Sequence, residues 1–322
     1  MPRPQKPFKT RPDLEKDLAP LKKPDWFRVR YQEGERFNTI NNLVKEHGLA
    51  TVCAEAKCPN IYECWNKGTA TFMLMGDTCT RACRFCHVKG GKPEALDPLE
   101  PRKIAQSVQT LKLSYVVLTS VDRDELEDEG SAHFAATVRA IKHVDSKILV
   151  EALTPDFRKT LERSIQTMLE SDVDVLAHNV ETVRRLVPHV RDPRCDHDLS
   201  LNYHRISKRI KPSIISKSSI MLGLGETQEE VLECMAELRD VGVEVVTLGQ
   251  YLQPTKNHHP VVRYATPDEF KEYEQKGLAM GFRFVASGPM VRSSYRAAEV
   301  FLAGEARKRK GIEEGESSHV HV

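Results

Sequence analysis

Six of the chain's eight cysteines lie between Cys53 and Cys86, in two groups of three. Cys79, Cys83 and Cys86 follow a C-x3-C-x2-C spacing within C-T-R-A-C-R-F-C. Cys53, Cys58 and Cys64 follow a looser C-x4-C-x5-C spacing within C-A-E-A-K-C-P-N-I-Y-E-C. Soft thiolate ligands suit iron–sulfur clusters. Three thiolates hold three irons of a [4Fe–4S] cube and leave the fourth iron open, so the second triad points to a reaction centre more than to a structural staple. Structural zinc takes four ligands, usually as two C-x2–4-C pairs, and each triad is one thiolate short. The first triad is too loose for a zinc knuckle, and it could hold a second cluster if a non-cysteine fourth ligand came from elsewhere. Cys234 falls on the apolar stripe of a helix and reads as core. Cys195, in the polar stretch R-D-P-R-C-D-H-D, reads as a free surface thiol. The count of three ligands leans on both being inert.

These cysteines need a scaffold, and a regular alternation follows them. Strand-like runs occur at Thr71–Met75, Tyr115–Thr119, Ile148–Leu153, Val173–Ala177, Ser219–Leu222 and Val243–Leu248. Each is short and β-rich or fully apolar, as buried parallel strands are. Amphipathic helices are expected between most of them, on the stripes Ile104/Val108/Leu111, Phe134/Val138/Ile141, Phe157/Leu161/Ile165/Met168 and Val231/Met235/Leu238. Thr227 with Glu230, and Thr266 with Pro267 and Glu269, predict two capped helix starts. The fold class is therefore α/β: a partial (β/α)6 TIM-like barrel with N-terminal and C-terminal extensions. The second triad directly follows the first strand, and loops at strand C-termini build the active site of such barrels.

The expected organisation is a basic, Pro-rich arm over residues 1–24, a cluster-bearing segment over 25–68, the barrel over 69–285, a closing segment over 286–305 and a disordered tail over 306–322. Lys and Arg (48) nearly balance Asp and Glu (46), so bulk charge does not point to nucleic acid. No apolar run approaches the roughly 18 residues of a membrane helix. Met1 to Thr10 lacks the apolar core of a secretory signal. A cytoplasmic location is expected, where many cysteines mean metal or redox work rather than disulfides.

The second triad resembles the signature of radical S-adenosylmethionine enzymes. With the first triad it resembles the lipoyl synthase family, and further segments agree: K-P-D-W-F-R-V-R at Lys23–Arg30, G-T-A-T-F-M-L-M-G-D at Gly68–Asp77, T-S-V-D-R-D-E-L at Thr119–Leu126, H-N-V-E-T at His178–Thr182, M-L-G-L-G-E-T at Met221–Thr227 and R-S-S-Y at Arg292–Tyr295. The resemblance covers about residues 23–303. His87, after the last cysteine of the second triad, departs from the Asp or Asn that relatives often carry; a supporting role is expected for it.

The resemblance implies insertion of two sulfur atoms, at C6 and C8 of an octanoyl chain carried on a lysine of a lipoyl carrier protein or lipoyl domain. It implies two [4Fe–4S] clusters and S-adenosylmethionine. Cys79, Cys83 and Cys86 would hold the initiating cluster. Cys53, Cys58 and Cys64, with Ser294 of R-S-S-Y as fourth ligand, would hold an auxiliary cluster consumed as the sulfur source. Glu151, Asn179, Glu181, Arg191 and Gln250, near strand ends, are candidates to bind S-adenosylmethionine, and the glycines of G-L-G-E-T would let backbone approach its adenosine closely. Further implied partners are an electron donor of flavodoxin or ferredoxin type and an iron–sulfur carrier that rebuilds the spent cluster. Lipoyl domains are generally acidic, so Lys22, Lys23, Arg28, Arg30, Arg205 and Lys208 are docking candidates. Both sequence extremes are expected to pack at the barrel mouth. The alternatives are another radical sulfur-inserting enzyme and a non-catalytic iron–sulfur redox sensor.

Overall fold

The computed structural model describes residues 21–27, 34–55, 58, 60–66, 71–294 and 296–310. Most of the basic arm, with Arg28 and Arg30, lies outside them, as do Tyr295 and residues 311–322. Ten strands occur among the described residues: β1 (Ala50–Thr51), β2 (Thr71–Leu74), β3 (Thr78–Cys79), β4 (Lys89–Gly90), β5 (Tyr115–Ser120), β6 (Leu149–Leu153), β7 (Val175–Ala177), β8 (Ile215–Leu222), β9 (Val245–Gln250) and β10 (Phe284–Gly288). Eight form one sheet in the order β1-β2-β5-β6-β7-β8-β9-β10, and β3 and β4 form a separate pair. β1 runs antiparallel to β2; every other pairing in the large sheet is parallel. From β2 onward spatial order equals chain order, so each crossover adds a strand on the same side. That is the winding that curls a sheet toward a barrel.

Alternation along the strands separates two cores. Outward residues such as Val116, Leu118, Val150, Ala152 and Leu176 pack against Ile104, Val108, Phe134, Val138, Ile141, Ile165 and Met168 of the crossover helices. Ile220, Leu222, Val246 and Leu248 do the same against Val231, Met235, Leu238 and Phe270. Inward residues Leu149, Val175, Ile215, Val245 and Ala286 come from five strands and share one cluster with Leu302 and Ala306 of the last helix, Arg296–Lys310. Both expected capping boxes form, at Thr227/Glu230 and Thr266/Glu269.

Four expectations need correcting. The barrel does not stop at 285: β10 pairs in register with β9, from Phe284↔Val245 to Gly288↔Gly249, and adds a seventh parallel strand. Its F-V-A-S-G sequence has too short an apolar run to stand out. The tail does not begin at 306, because the last helix continues to Lys310 and buries Ala306. That helix does not stay at the mouth. Arg309 hydrogen-bonds Ser213 O and pairs with Glu244, which precede β8 and β9, so the helix reaches the floor of the sheet. Phe157 is not on its expected helix, which starts at Leu161; it is fully buried in a left-handed turn with φ +45°. The turn after Pro155 is what aims Asp156 at the second triad. No helix among the described residues is long and apolar enough to cross a membrane.

Candidate active site

The second triad sits in the loop after β2. Its ends are pinned to each other by the β3–β4 pair, Thr78↔Lys89 and Cys79↔Gly90. Loops from the C-terminal ends of four strands then grip it. After β5, Asp122 O accepts from Thr80 N (3.1 Å) and the Asp122 amide donates to Cys79 Sγ (3.3 Å). After β7, Val190 O accepts from Arg84 N (2.8 Å) and the Asp192 amide donates to Cys83 Sγ (3.3 Å). After β9, His259 N donates to Arg84 O, and His258 Nε2 donates to Cys86 O (3.0 Å). The loop after β6 contributes Asp156.

Arg81, between the first two cysteines of the triad, is the keystone. It is 4% exposed. Nη1 and Nη2 reach both oxygens of Asp156 at 2.8 Å, while Nε and Nη2 reach Asp124 at 3.1 and 2.9 Å. Burial opposes the charges, but these bidentate bonds hold Asp156 and Asp124 below the usual carboxylate range and Arg81 above its own. Asp192 is likewise held down to about 2, against its burial, by Arg194 and the Ala82 amide. Asp122 differs: burial pushes it up to about 7 although Arg81 is near. Its carboxylate lies 3.6 Å from Cys79 Sγ.

The three sulfurs suit a soft metal centre. Burial raises the free thiols, Cys79 to about 12 and Cys86 to about 11. Backbone amides nevertheless point at the sulfurs: Arg81 N and Asp122 N at Cys79, Asp192 N at Cys83 and Val88 N at Cys86. Donors aimed at buried sulfur fit thiolates that have given their protons up to iron.

Of the candidate S-adenosylmethionine contacts, three converge beside this loop. Glu181 sits at φ +67° just past β7 and is raised by burial. Asn179 Nδ2 donates to it at 3.2 Å. Arg191 is buried and feels Cys195, Glu181 and Cys83. Its Nη1 reaches Ser200 Oγ at 2.9 Å, but its Nε is buried with no hydrogen-bond partner. Two candidates lie elsewhere. Glu151 is in the middle of β6, not at its end, and is spent on Lys217 Nζ (2.5 Å) and Tyr115 OH (2.6 Å) inside the barrel. Gln250 gives its whole amide to backbone: it accepts from Ala265 N (2.8 Å) and donates to Arg263 O (3.0 Å). The G-L-G-E-T turn also closes on itself, with Glu226 accepting from the Gly223 and Leu224 amides. A Cβ at Gly223 would stand 2.1 Å from Gln250 Nε2, so this glycine makes room for Gln250.

The first triad rides on two short helices, Val52–Glu55 and Ile61–Asn66, with Cys58 between them. Asn60 Nδ2 donates to Met290 O at 2.8 Å. Arg292, lowered by its burial, interacts with Cys58. Met290 and Arg292 therefore lie beside the first triad, and Ser294 is two residues from Arg292. A Cβ at Gly249 would meet Val291 O at 2.1 Å, which puts the same segment over the C-terminal end of β9. His87 links the two cysteine loops: Nδ1 donates to Glu55 O (2.9 Å), and its ring stacks on His258.

Cys195 is a correction. It is not a free surface thiol, because it lies beside Cys83 and accepts from Arg81 Nη1 at 3.4 Å. The neighbouring Cys83, with Arg191 and Arg81, lowers the proton affinity of Cys195 to about 6, while that of Cys83 is raised. Cys234 is buried as expected, near His197 and Glu237. Those three donors lie within 4.8 Å of one another, but Arg184 bonds Glu237 at 2.6 Å and a cation there would meet the guanidinium. Among the docking candidates, Lys22, Lys23 and Arg205 are exposed. Lys208 is not free, since it pairs with Glu244 and donates to Ile214 O.

Sequence reading missed Arg81, Asp122, Asp124, Asp156 and Asp192. The signal was present in Arg81 itself, a cation fixed in sequence between two cysteines of the second triad, where burial would call for carboxylates nearby.

Residues 73–273 match the family model described as the Radical SAM superfamily. A lipoyl synthase from Francisella tularensis subsp. novicida is 53% identical over 282 residues, covering 87% of this chain and 86% of that protein. One from Thermus thermophilus is 53% identical over 286 residues, 88% of each. Among solved structures, methylornithine synthase is similar with a TM-score of 0.52 at 16% identity, covering 86% of this chain and 81% of that one. The FeFe-hydrogenase maturase HydG from Carboxydothermus hydrogenoformans has a TM-score of 0.54 at 15% identity, covering 73% and 56%. These two likenesses concern the fold. On the family model and the relatives together, the chain belongs to the radical S-adenosylmethionine superfamily and, within it, to the lipoyl synthases.

Proposed function

We propose that the chain inserts two sulfur atoms, at C6 and C8 of an octanoyl group carried on a lysine of a lipoyl domain, and so forms the lipoyl group. Unactivated C–H bonds are beyond any side-chain acid or base, so a cofactor must carry that step. S-adenosylmethionine at a [4Fe–4S] cluster on Cys79, Cys83 and Cys86 supplies the hydrogen-abstracting radical. The chain's own residues hold and orient. Arg81 fixes the loop, and the orphan Arg191 Nε, with Glu181 and Asn179, meets the carboxylate and amino groups of the metabolite. Glu151 and Gln250 shape the barrel behind them rather than touching it.

Cys53, Cys58, Cys64 and Ser294 hold the second cluster, which is the sulfur-donating substrate. The observation that carries this reading is that two cysteine loops, joined by His87 and Glu55, share one mouth. The segment bearing Ser294 closes that mouth against Asn60 and Gly249. Enclosure keeps a radical from the wrong hydrogen donor. A flavodoxin- or ferredoxin-type donor supplies electrons and an iron–sulfur carrier rebuilds the spent cluster. Lys22, Lys23 and Arg205 are the exposed cations open to an acidic carrier domain.

Ser294→Cys tests the ligand set. A thiolate in place of a hard alkoxide should hold the cluster together, so 5′-deoxyadenosine still forms while delivery of the second sulfur fails. Unchanged turnover with both sulfurs inserted contradicts a labile bond at Ser294.

A further inference from the structure

Alternation along the strands stacks the barrel interior in levels. Leu149 of β6 and Ile215 of β8 point inward and belong to the apolar cluster closed by Leu302 and Ala306 of the last helix. Two residues nearer the mouth, on the same faces, stand Glu151 and Lys217. Each is 1% exposed. Lys217 Nζ donates to Glu151 Oε1 at 2.5 Å, and Tyr115 OH donates to Glu151 Oε2 at 2.6 Å. Ala177 pairs in register with Lys217, and Asn179, which bonds Glu181 beside the second triad, is two residues past Ala177. The ion pair is therefore a charged layer between the mouth and the apolar plug. Replacing such a pair by well-packed apolar side chains is often neutral or stabilising. Stability does not account for it; its position does.

C8, one of the two reacting carbons of an octanoyl chain, is also its last. Both reacting carbons must come to the mouth, where the two triads lie. An eight-carbon chain therefore ends at the reaction centre, and a longer one must send its extra carbons onward. The segment around Val291 covers the C-terminal end of β9, so the way left is down into the barrel. There the chain meets an ammonium with three N–H donors, one of them matched among the described residues. A methylene laid on the other two offers no acceptor and strips the charge of polar surroundings. We propose that the Glu151–Lys217 pair sets the length of the acyl chain: it floors the cavity with charge and turns away chains longer than eight carbons. The wrong substrate is excluded by the buried polar group it leaves unmatched. The proposal rests on the octanoyl reading of the substrate.

The test offers the full holoenzyme an equimolar mixture of octanoyl-lysyl and decanoyl-lysyl peptides without oxygen, and reads the sulfur on each by mass spectrometry. Both peptides compete for one site, so their ratio cancels any general loss of activity. Fluorescence anisotropy of labelled peptides reads the same preference as binding. The native protein should favour octanoyl about a hundredfold. In the double variant Glu151→Leu, Lys217→Met, apolar chains of similar volume replace the pair, and the preference should fall about tenfold, with decanoyl binding tightened and octanoyl binding held. An unmoved preference in a variant that loads iron overturns the proposal, as does a native protein that takes both peptides equally. If that variant fails to fold or to load iron, Glu151→Gln, Lys217→Met keeps an acceptor for Tyr115 and decides by the same ratio. Failure of both variants makes the pair a structural element and overturns its role as a floor. A native protein that adds sulfur to neither peptide defeats the functional reading and the floor with it, whereas an unmoved preference beside sulfur transfer defeats the floor alone.

Discussion

The two cysteine triads are built on opposite plans. Cys79, Cys83 and Cys86 sit in a loop fastened to the loops that follow β5, β6, β7 and β9, with Arg81 as a buried ionic rivet. Cys53, Cys58 and Cys64 sit on short helices outside the parallel sheet and lean on the segment after β10 through Asn60 and Met290. A centre that must cycle unchanged gains from the first plan, since its geometry is set by the barrel. A centre that is dismantled and rebuilt gains from the second, since its support can shift without disturbing the sheet. Under the proposed function, the first plan would carry the permanent cofactor and the second the sacrificial one.

Breaking the barrel-held triad should have the largest effect. Cys83→Ala should lower iron from about eight to about four per chain after anaerobic reconstitution and abolish 5′-deoxyadenosine formation. Iron analysis with chromatography of the nucleoside checks it. Next comes the rivet. Arg81→Met strands Asp156 as a buried carboxylate without its cation and leaves Asp124 to Arg194 alone; it should cost about 3–5 kcal/mol, read as a lowered urea midpoint and poor loading of the second triad only. Arg81→Lys should recover part of this, since one ammonium cannot reproduce two bidentate bonds.

Acid should strike the same region. Burial pushes His178 down to about 4 and His204 to about 3. His178 lies beneath the clamp, bonding Thr154 O and Ser200. Both are depressed from an unfolded value near 6.5, so their stabilisation is fully present above about pH 6.5 and is lost as pH falls toward 4. Urea midpoints should drop steeply over that window, and His204→Gln should flatten the slope. The smallest effect belongs to the first triad's tether. Asn60→Ala removes one hydrogen bond, worth about 1 kcal/mol. It should leave 5′-deoxyadenosine formation intact while sulfur transfer falls severalfold. Equal loss of both activities would erase the distinction between the triads.

Much of this was legible in the sequence, and the failures have physical causes. Cysteine spacing singled out both triads because the residues of each lie close together along the chain. The six apolar runs located β2 and β5 to β9 because buried parallel strands are rich in apolar and β-branched residues, even where a buried polar group such as Glu151 or Lys217 interrupts them. β10 escaped because a strand of five residues ending in Ser-Gly carries little apolar signal. Gln250 ends β9 as expected while Glu151 sits in the middle of β6, and both side chains are spent on Lys217, Tyr115 and backbone groups. Position along a strand does not say where a polar group finds its partner. Cys195 reads as a surface thiol because its neighbours in sequence are charged; in space those charges are partners of the Arg81 network. Ion-pair networks that join distant loops leave no periodic trace.

The central claim is that radical initiation and sulfur donation occur at two different triads facing one mouth. It is tested most directly by one anaerobic turnover on an octanoyl-lysyl peptide, with mass spectrometry of the peptide and quantitation of 5′-deoxyadenosine from the same reaction. The account predicts a peptide carrying two sulfurs in the native protein. In a Cys53→Ala, Cys58→Ala, Cys64→Ala variant it predicts 5′-deoxyadenosine with no sulfur added. Sulfur transfer by that variant, or 5′-deoxyadenosine without any sulfur from the native chain, would contradict it.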